Sequence, residues 1–148
     1  MRITQHTDYA LRVLMYVGGN AGRLVTIAQI AERFGISRAH LMKVVNRLVR
    51  AGFLSGKRGK GGGLSLAQAP SRIRIGEVFR AMEGDPGASS RRGRAGQAPA
   101  ADALEAALGH ALQAFLAVLD HHTLADLLAE PVPARLVTMM RAQPSSVP

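Results

Sequence analysis

From Thr26 to Arg50 the apolar residues return every three or four positions, in two runs separated by a glycine. Ile27, Ile30, Ala31 and Phe34 make the first stripe, with Glu32 and Arg33 outside it. Leu41, Val44, Val45 and Leu48 make the second. This spacing predicts two amphipathic helices, each burying one face. Thr26 with Gln29 three residues later is a capping box, in which the hydroxyl and the amide each satisfy a backbone donor, so the first helix starts there. Gly35 ends it, because glycine takes the left-handed conformation at a helix C-terminus without steric cost. Ser37 then caps the second helix. A three-residue turn, Gly35-Ile36-Ser37, holding two such helices is a helix-turn-helix arrangement, whose second helix enters the major groove of DNA.

The pattern on either side completes one unit. Residues 4 to 20 predict a helix with Tyr9, Leu11, Val13, Leu14 and Val17 as its apolar surface and Gly18-Gly19 as its stop. Asp8 near its start suits the positive end of the helix dipole, and His6 is a surface histidine. After the second reading helix come two short apolar segments, Gly52-Phe53-Leu54 and Leu64-Ser65-Leu66, around a turn too rich in glycine to be helical. They predict a two-stranded wing. Pro70-Ser71 breaks the chain, and a short helix from Gly76 to Glu83 turns Val78, Phe79 and Met82 inward.

From Gly84 to Ala100, 11 of the 17 residues are Gly, Pro, Ser or Arg, and no bulky apolar side chain appears. Such a segment buries too little to offset its ordering entropy, which predicts a mobile loop in which Arg91, Arg92 and Arg94 serve hydration more than contact. The next helix is expected from about Ala101 to His122. Leu104, Leu108, Ala111, Phe115, Val118 and His122 follow steps of four and three, with Leu112 and Leu119 beside them, a heptad-like seam. A single winged unit has no evident place for so long a stripe, so the seam predicts pairing with a second copy. Thr123 with Asp126 caps a last helix, Leu124 to Ala129, and the tail from Pro144 is expected to fray. The fold class that emerges is mainly α with a small β-wing, a winged helix-turn-helix domain plus a long C-terminal dimerisation helix. Its divisions are 1–83 for DNA binding, 84–100 for the loop, 101–130 for dimerisation and the short terminal helix, and 131–148 for the tail.

Charge sharpens this picture. The chain of 148 residues has 19 Lys and Arg against 10 acids, a formal +9. Residues 1 to 84 hold 14 basic and 4 acidic side chains, a net +10, while residues 85 to 148 hold 5 and 6, a net −1. The positive field therefore belongs to the part with the reading helix. The second helix has no acid between Ser37 and Ala51 and carries Arg38, His40, Lys43, Asn46, Arg47 and Arg50 outward. Arg38, His40 and Lys43 are expected at base edges, where Arg and Lys pair with guanine. Thr26, Ser37, Arg47, Lys57, Arg58 and Lys60 are assigned to the backbone or, for the wing, the minor groove. Arg72, Arg74 and Arg80 are either phosphate contacts or a solvated face.

Other classes are poorly served. No run of about 18 apolar residues is evident, so no membrane span is expected, and the first twenty residues lack a secretory cleavage pattern. A cytoplasmic protein is the expectation. Cysteine is absent, which removes disulfides and thiolate metal sites. His110, His121 and His122 do not converge, since adjacent helical residues point about 100° apart. There is no nucleophile arrangement and no phosphate loop, so no enzyme is expected. The competing function is a protein-interaction module with incidental DNA affinity.

With these residues in view, the chain resembles the winged helix-turn-helix regulators represented by the nitric-oxide-sensitive repressor NsrR and the iron-sulfur regulator IscR. The likeness rests on Thr7-Asp8-Tyr9-Ala10-Leu11-Arg12, His40-Leu41-Met42-Lys43-Val44, Arg58-Gly59-Lys60-Gly61-Gly62, Ile75-Gly76-Glu77-Val78 and Ala114-Phe115-Leu116 running to Asp120. The closing Thr123-Leu124-Ala125-Asp126-Leu127 looks most like the NsrR type. The resemblance implies a homodimeric DNA-binding regulator, in the main a repressor on a palindromic operator. It also implies a cluster held by three cysteines in the loop before the long helix. Here that loop offers Ser, Arg, Gly and Ala, so the DNA-binding residues carry over and the cluster does not. Asp8 matches a position that completes the cluster in some relatives, a role that lapses without the cysteines. Three explanations stay open: a relative that binds a small-molecule effector between the winged domain and the long helix, a repressor set by its own abundance, or a sequence whose cysteines were replaced.

Overall fold

The computed structural model describes the backbone of residues 4–84 and 99–129 and the side chains of 4–84 and 103–129. The expected mobile loop, apart from its two ends, and the expected tail lie outside the described residues.

Local chemistry sets the first three helices. In α1 (Gln5–Gly19) the Thr4 hydroxyl caps the start by accepting from the Thr7 amide. In α2 (Ile27–Phe34) the capping box forms, with the Thr26 amide donating to Gln29 Oε1 at 2.9 Å and the Gln29 amide donating to Thr26 Oγ1 at 3.2 Å. Gly35 follows in the left-handed region at φ 65°, so the chain reverses within one residue. Ser37 then caps α3 (Arg38–Arg50), its Oγ accepting from the His40 amide at 3.3 Å. Each such cap contributes about 1 kcal/mol.

Packing follows the apolar stripes. Ala10, Val13, Leu14 and Val17 of α1, Ile30 of α2 and Leu41, Val44, Val45 and Leu48 of α3 share one core. Leu14, Ile30, Leu41 and Leu48 are fully buried, each contributing about 1.5–3 kcal/mol of hydrophobic stabilisation. Tyr16 meets the Phe34 ring edge-on at 5.8 Å, and the Arg12 guanidinium lies 5.9 Å over the same ring while pairing with Asp8 at 2.8 Å. These contacts fasten α1 to the end of α2. Asp8 is thus in the first turn, as its charge suggests, and also in an ion pair.

The wing is an antiparallel pair, β1 (Leu54–Lys57) and β2 (Gly63–Leu66), with Leu54 opposite Leu66 and Lys57 opposite Gly63. Its turn is very tight. A Cβ at Gly62 would lie 2.2 Å from the Lys57 carbonyl oxygen. Val25, which no periodic pattern marks, adds a bridge to the wing through two backbone hydrogen bonds with Leu64 of 3.0 and 2.7 Å. It seals the core beneath the sheet.

After a 3-10 turn at Pro70–Arg72, α4 runs from Ile75 to Glu83. Val78 and Met82 are buried as expected, and Phe79 is half-buried. The long helix α5 spans Pro99–Asp120. It starts two residues before the expected Ala101, on a proline that has no amide hydrogen to lose at the first helical position. It also stops two residues short of His122, which corrects the expected seam. Beyond Asp120 the backbone leaves the helix to form an isolated bridge between Thr123 and Arg74, just before α4: the Ile75 amide donates to the His122 carbonyl at 2.9 Å, and the Leu124 amide to the Ile73 carbonyl at 2.8 Å. The last helix, α6 (Leu124–Ala129), is capped reciprocally by Thr123 and Asp126. It packs on α1, with Leu124 inside the common core, and so belongs physically to the winged unit instead of grouping with α5.

At the junction of α4 and α5, a Cβ on Gly76 would lie 2.0 Å from Asp120 Oδ1. Gly76→Ala is therefore expected to lower unfolding stability by about 1–3 kcal/mol in urea titration, with Glu77→Ala on the exposed face of the same helix nearly silent. Equal stability of the two variants would show that the close approach is not needed.

Candidate nucleic-acid interface

Burying Leu41, Val44, Val45 and Leu48 fixes the rotation of α3 and leaves the opposite side in solvent. Arg38, His40, Lys43, Asn46, Arg47 and Arg50 are all exposed there. Thr26 and Ser37 sit at the N-termini of α2 and α3 with exposed side chains already engaged as caps. Each marks a helix N-terminus, which favours an anion. Lys57 closes β1, and Arg58 and Lys60 lie exposed in the wing turn. The turn is held by the Gly62 amide donating to the Gly59 carbonyl at 3.0 Å and by left-handed Gly59 and Gly61.

Arg47 is placed differently from the rest. It lies toward the side of α3 near α4, where its charge acts on Glu83. Burial pushes the Glu83 carboxyl up, but hydroxyl donation from Thr4 and Thr7 and the field of Arg47 outweigh it, and the group titrates below the ordinary 4.5. Thr7 is the one polar side chain among the described residues to be fully buried, and donating to Glu83 satisfies it. This link between the start of α1 and the end of α4 carries no sequence periodicity, and nothing in the sequence announces it.

Arg80 and Arg74 are engaged with another element of the fold. The Arg80 guanidinium grips Asp120 in a bidentate pair at 2.8 and 2.6 Å, and Arg74 donates to the Asp120 carbonyl at 3.3 Å. Asp120 consequently titrates below the ordinary 3.8, chiefly through the Arg80 hydrogen bonds, against some desolvation and with help from the charges of Arg80, Arg74 and His121. His121 in turn is tied back by Nδ1 donating to the Ala117 carbonyl at 2.6 Å.

The seam on α5 divides in two. Leu104 and Leu108 are 62% exposed and Val118 60%, and Ala111 is exposed as well. Leu112 and Leu119 are half-buried. Phe115 instead packs edge-on against Phe79 of its own α4 at 5.2 Å, beside buried Leu116. The aromatic in the middle of the expected pairing surface thus helps seat α5 on the winged unit. The same helix also revises the expectation about membranes: Ala103–Asp120 has the length and apolar composition to cross one. Its C-terminal part is nevertheless committed to α4 through Phe115, Leu116 and Asp120.

No metal centre fits these residues. An iron-sulfur cluster needs thiolates and the sequence has none. Among the described residues no three His, Asp or Glu side chains gather to hold an ion.

Comparison with known proteins agrees with this geometry. The Rrf2 family, described as iron-dependent transcriptional regulators, matches residues 3–130. CymR of B. subtilis, the global cysteine regulator of that organism, is similar at 27% identity with a TM-score of 0.67, covering 87% of this chain and 97% of its own. CymR of Staphylococcus aureus in its oxidized form is similar at 25% identity and a TM-score of 0.68, over 90% of this chain and 100% of its own. IscR of T. potens is similar at 25% identity and 0.69, over 97% and 94%.

The Arg80–Asp120 pair is half-exposed, so its worth is about 1 kcal/mol. Because the folded carboxyl titrates below its unfolded value, that stabilisation is complete above the unfolded pKa and disappears as pH falls through the folded one. Asp120→Asn is expected to lower thermal stability at neutral pH, with the gap to the parent closing below the ordinary 3.8. A gap that persists into acid would assign the loss to packing at Gly76 instead of to charge.

Proposed function

The chain belongs to the Rrf2 family of transcriptional regulators, and from that footing we propose that it is a homodimeric repressor that binds a roughly palindromic operator through α3 and the wing. The observation that carries this reading is the exposed cationic side of α3, free of acids, together with the exposed basic wing turn. Arg38, His40 and Lys43, at the end of the helix nearest its cap, are assigned to base edges, since the N-terminal residues of a reading helix reach deepest. Lys57, Arg58 and Lys60 hold backbone or minor groove, with Arg47, Thr26 and Ser37 on phosphates. Residues 1–83 read DNA, and 101–130 pair the copies, with α6 returning to the first unit.

The exposed Leu104, Leu108, Ala111 and Val118 of α5, flanked by Leu112 and Leu119, are covered by the same helix of a second copy. A stripe of this size left in water is costly, and two parallel-sided copies bury it symmetrically. Half-sites then fall about one helical turn apart. Within the family the Thr123–Leu127 run favours kinship with NsrR-type repressors, but without cluster chemistry.

Two measurements test this. Lys43→Ala should lose about 1–3 kcal/mol on the selected operator and far less on random duplex, while parent affinity falls steeply with salt as counterions are released. Equal loss on both duplexes would sink direct readout, and salt-indifferent binding would favour the protein-interaction module. Leu108→Glu should convert a dimer to a monomer in sedimentation without unfolding it. A chain that stays dimeric, or that partitions into vesicles through α5, would refute the paired helix.

A further inference from the structure

Large apolar side chains left in water on α5 belong to the seam just described, but Met42 on α3 does not. It is 53% exposed and stands outside the buried stripe of Leu41, Val44, Val45 and Leu48. At about 100° per residue it shares one row along the helix with Arg38 before it and Asn46 after it, a cation, an apolar group and an amide in line. The adjacent row begins with exposed Ala39 and Lys43. The small Ala39 lets the helix backbone come close to whatever it faces, and Met42 stands about 60° round the axis from it.

The charge around Met42 selects its partner. Arg38, Lys43 and Asn46 are exposed and no acid lies between Ser37 and Ala51, so an anionic surface rich in hydrogen-bonding edges fits and an apolar protein surface does not. In the major groove the one apolar group among those edges is the 5-methyl of thymine. A thioether on three rotatable bonds is polarizable and adapts its reach to such a target.

We infer that Met42 is a specificity-determining residue that packs on a thymine methyl group in each half-site, beside the base contact proposed for Arg38. The inference rests on the proposed entry of α3 into the major groove and adds a preference for A·T pairs that the cations alone do not give.

The test uses the full chain and the tightest duplexes that it selects from a random pool. Each thymine is replaced in turn by deoxyuridine, which keeps both hydrogen-bonding edges and removes only the methyl. For the parent, one or two positions in each half-site should lose about four-fold in affinity, the effect of one buried methyl-sized group. Met42→Ala should lose a similar factor on unmodified DNA and be insensitive to uridine at those positions, whereas Met42→Leu should keep the sensitivity. Uridine tolerated at every thymine, with steep salt dependence intact, overturns the inference and leaves the proposed function standing. Sensitivity that survives in Met42→Ala assigns the methyl to another residue and equally overturns it. Failure of the parent to select or bind any duplex overturns both.

Discussion

One buried face holds this molecule together. Ala10, Val13, Leu14 and Val17 of α1 meet α3 on one flank, α4 on another, and β2 and α6 beyond them, so four elements lean on the same short stripe. The orientation of α3 is a consequence. Its four buried residues find partners only when the opposite side is turned to solvent, and the cations there inherit their direction from packing far more than from any mutual interaction. A basic helix without such a base would point anywhere. Here the apolar core acts as the mount for a charged instrument, and loss of the core would scramble the interface before any cation was touched.

Much of this could be read from the residues, and the reason is locality. The Thr26–Gln29 and Thr123–Asp126 caps, the left-handed Gly35 and the stripe of α3 involve partners three or four positions apart, and short-range chemistry leaves a short-range signature. What escaped lies between distant segments. Val25 bridging to Leu64, Arg80 gripping Asp120, and Phe79 meeting Phe115 join residues tens of positions apart, and neither spacing nor composition announces them. The end of α5 shows the same limit. Periodicity ran on to His122, but backbone pairing with Ile75 ended the helix at Asp120, because a hydrogen bond available from outside competes with one more turn. For the interface, the cations of α3 and the wing were legible because exposure follows from the buried stripe. Arg74 and Arg80 were not, because their partner lies on another element. Nothing in the spacing marks Met42 as exposed, because an apolar residue beside an apolar stripe passes for core.

The family resemblance and the chain's own chemistry part company at one point. The Rrf2 description includes dependence on iron, yet this sequence offers no thiolate. The reading apparatus and the sensing apparatus are thus separable on this fold: the caps, core and cationic helix are complete without soft ligands. The junction of α1 with α4, linked by Thr4, Thr7 and Glu83, likewise forms without them.

The seat of Asp120 against Gly76 has a mechanical meaning of its own. With a guanidinium closing on one side of the carboxylate and bare backbone on the other, α5 is pinned at its C-terminal end as a beam is pinned at a bracket. Sliding by one helical turn, about 5.4 Å, would break the ion pair and drive a longer contour of α5 into the place that only a glycine leaves vacant. Pivoting about the bracket breaks neither. Any swing of α5 is then greatest at its leucine-bearing N-terminal end, with the bracket as the fixed point about which that end moves.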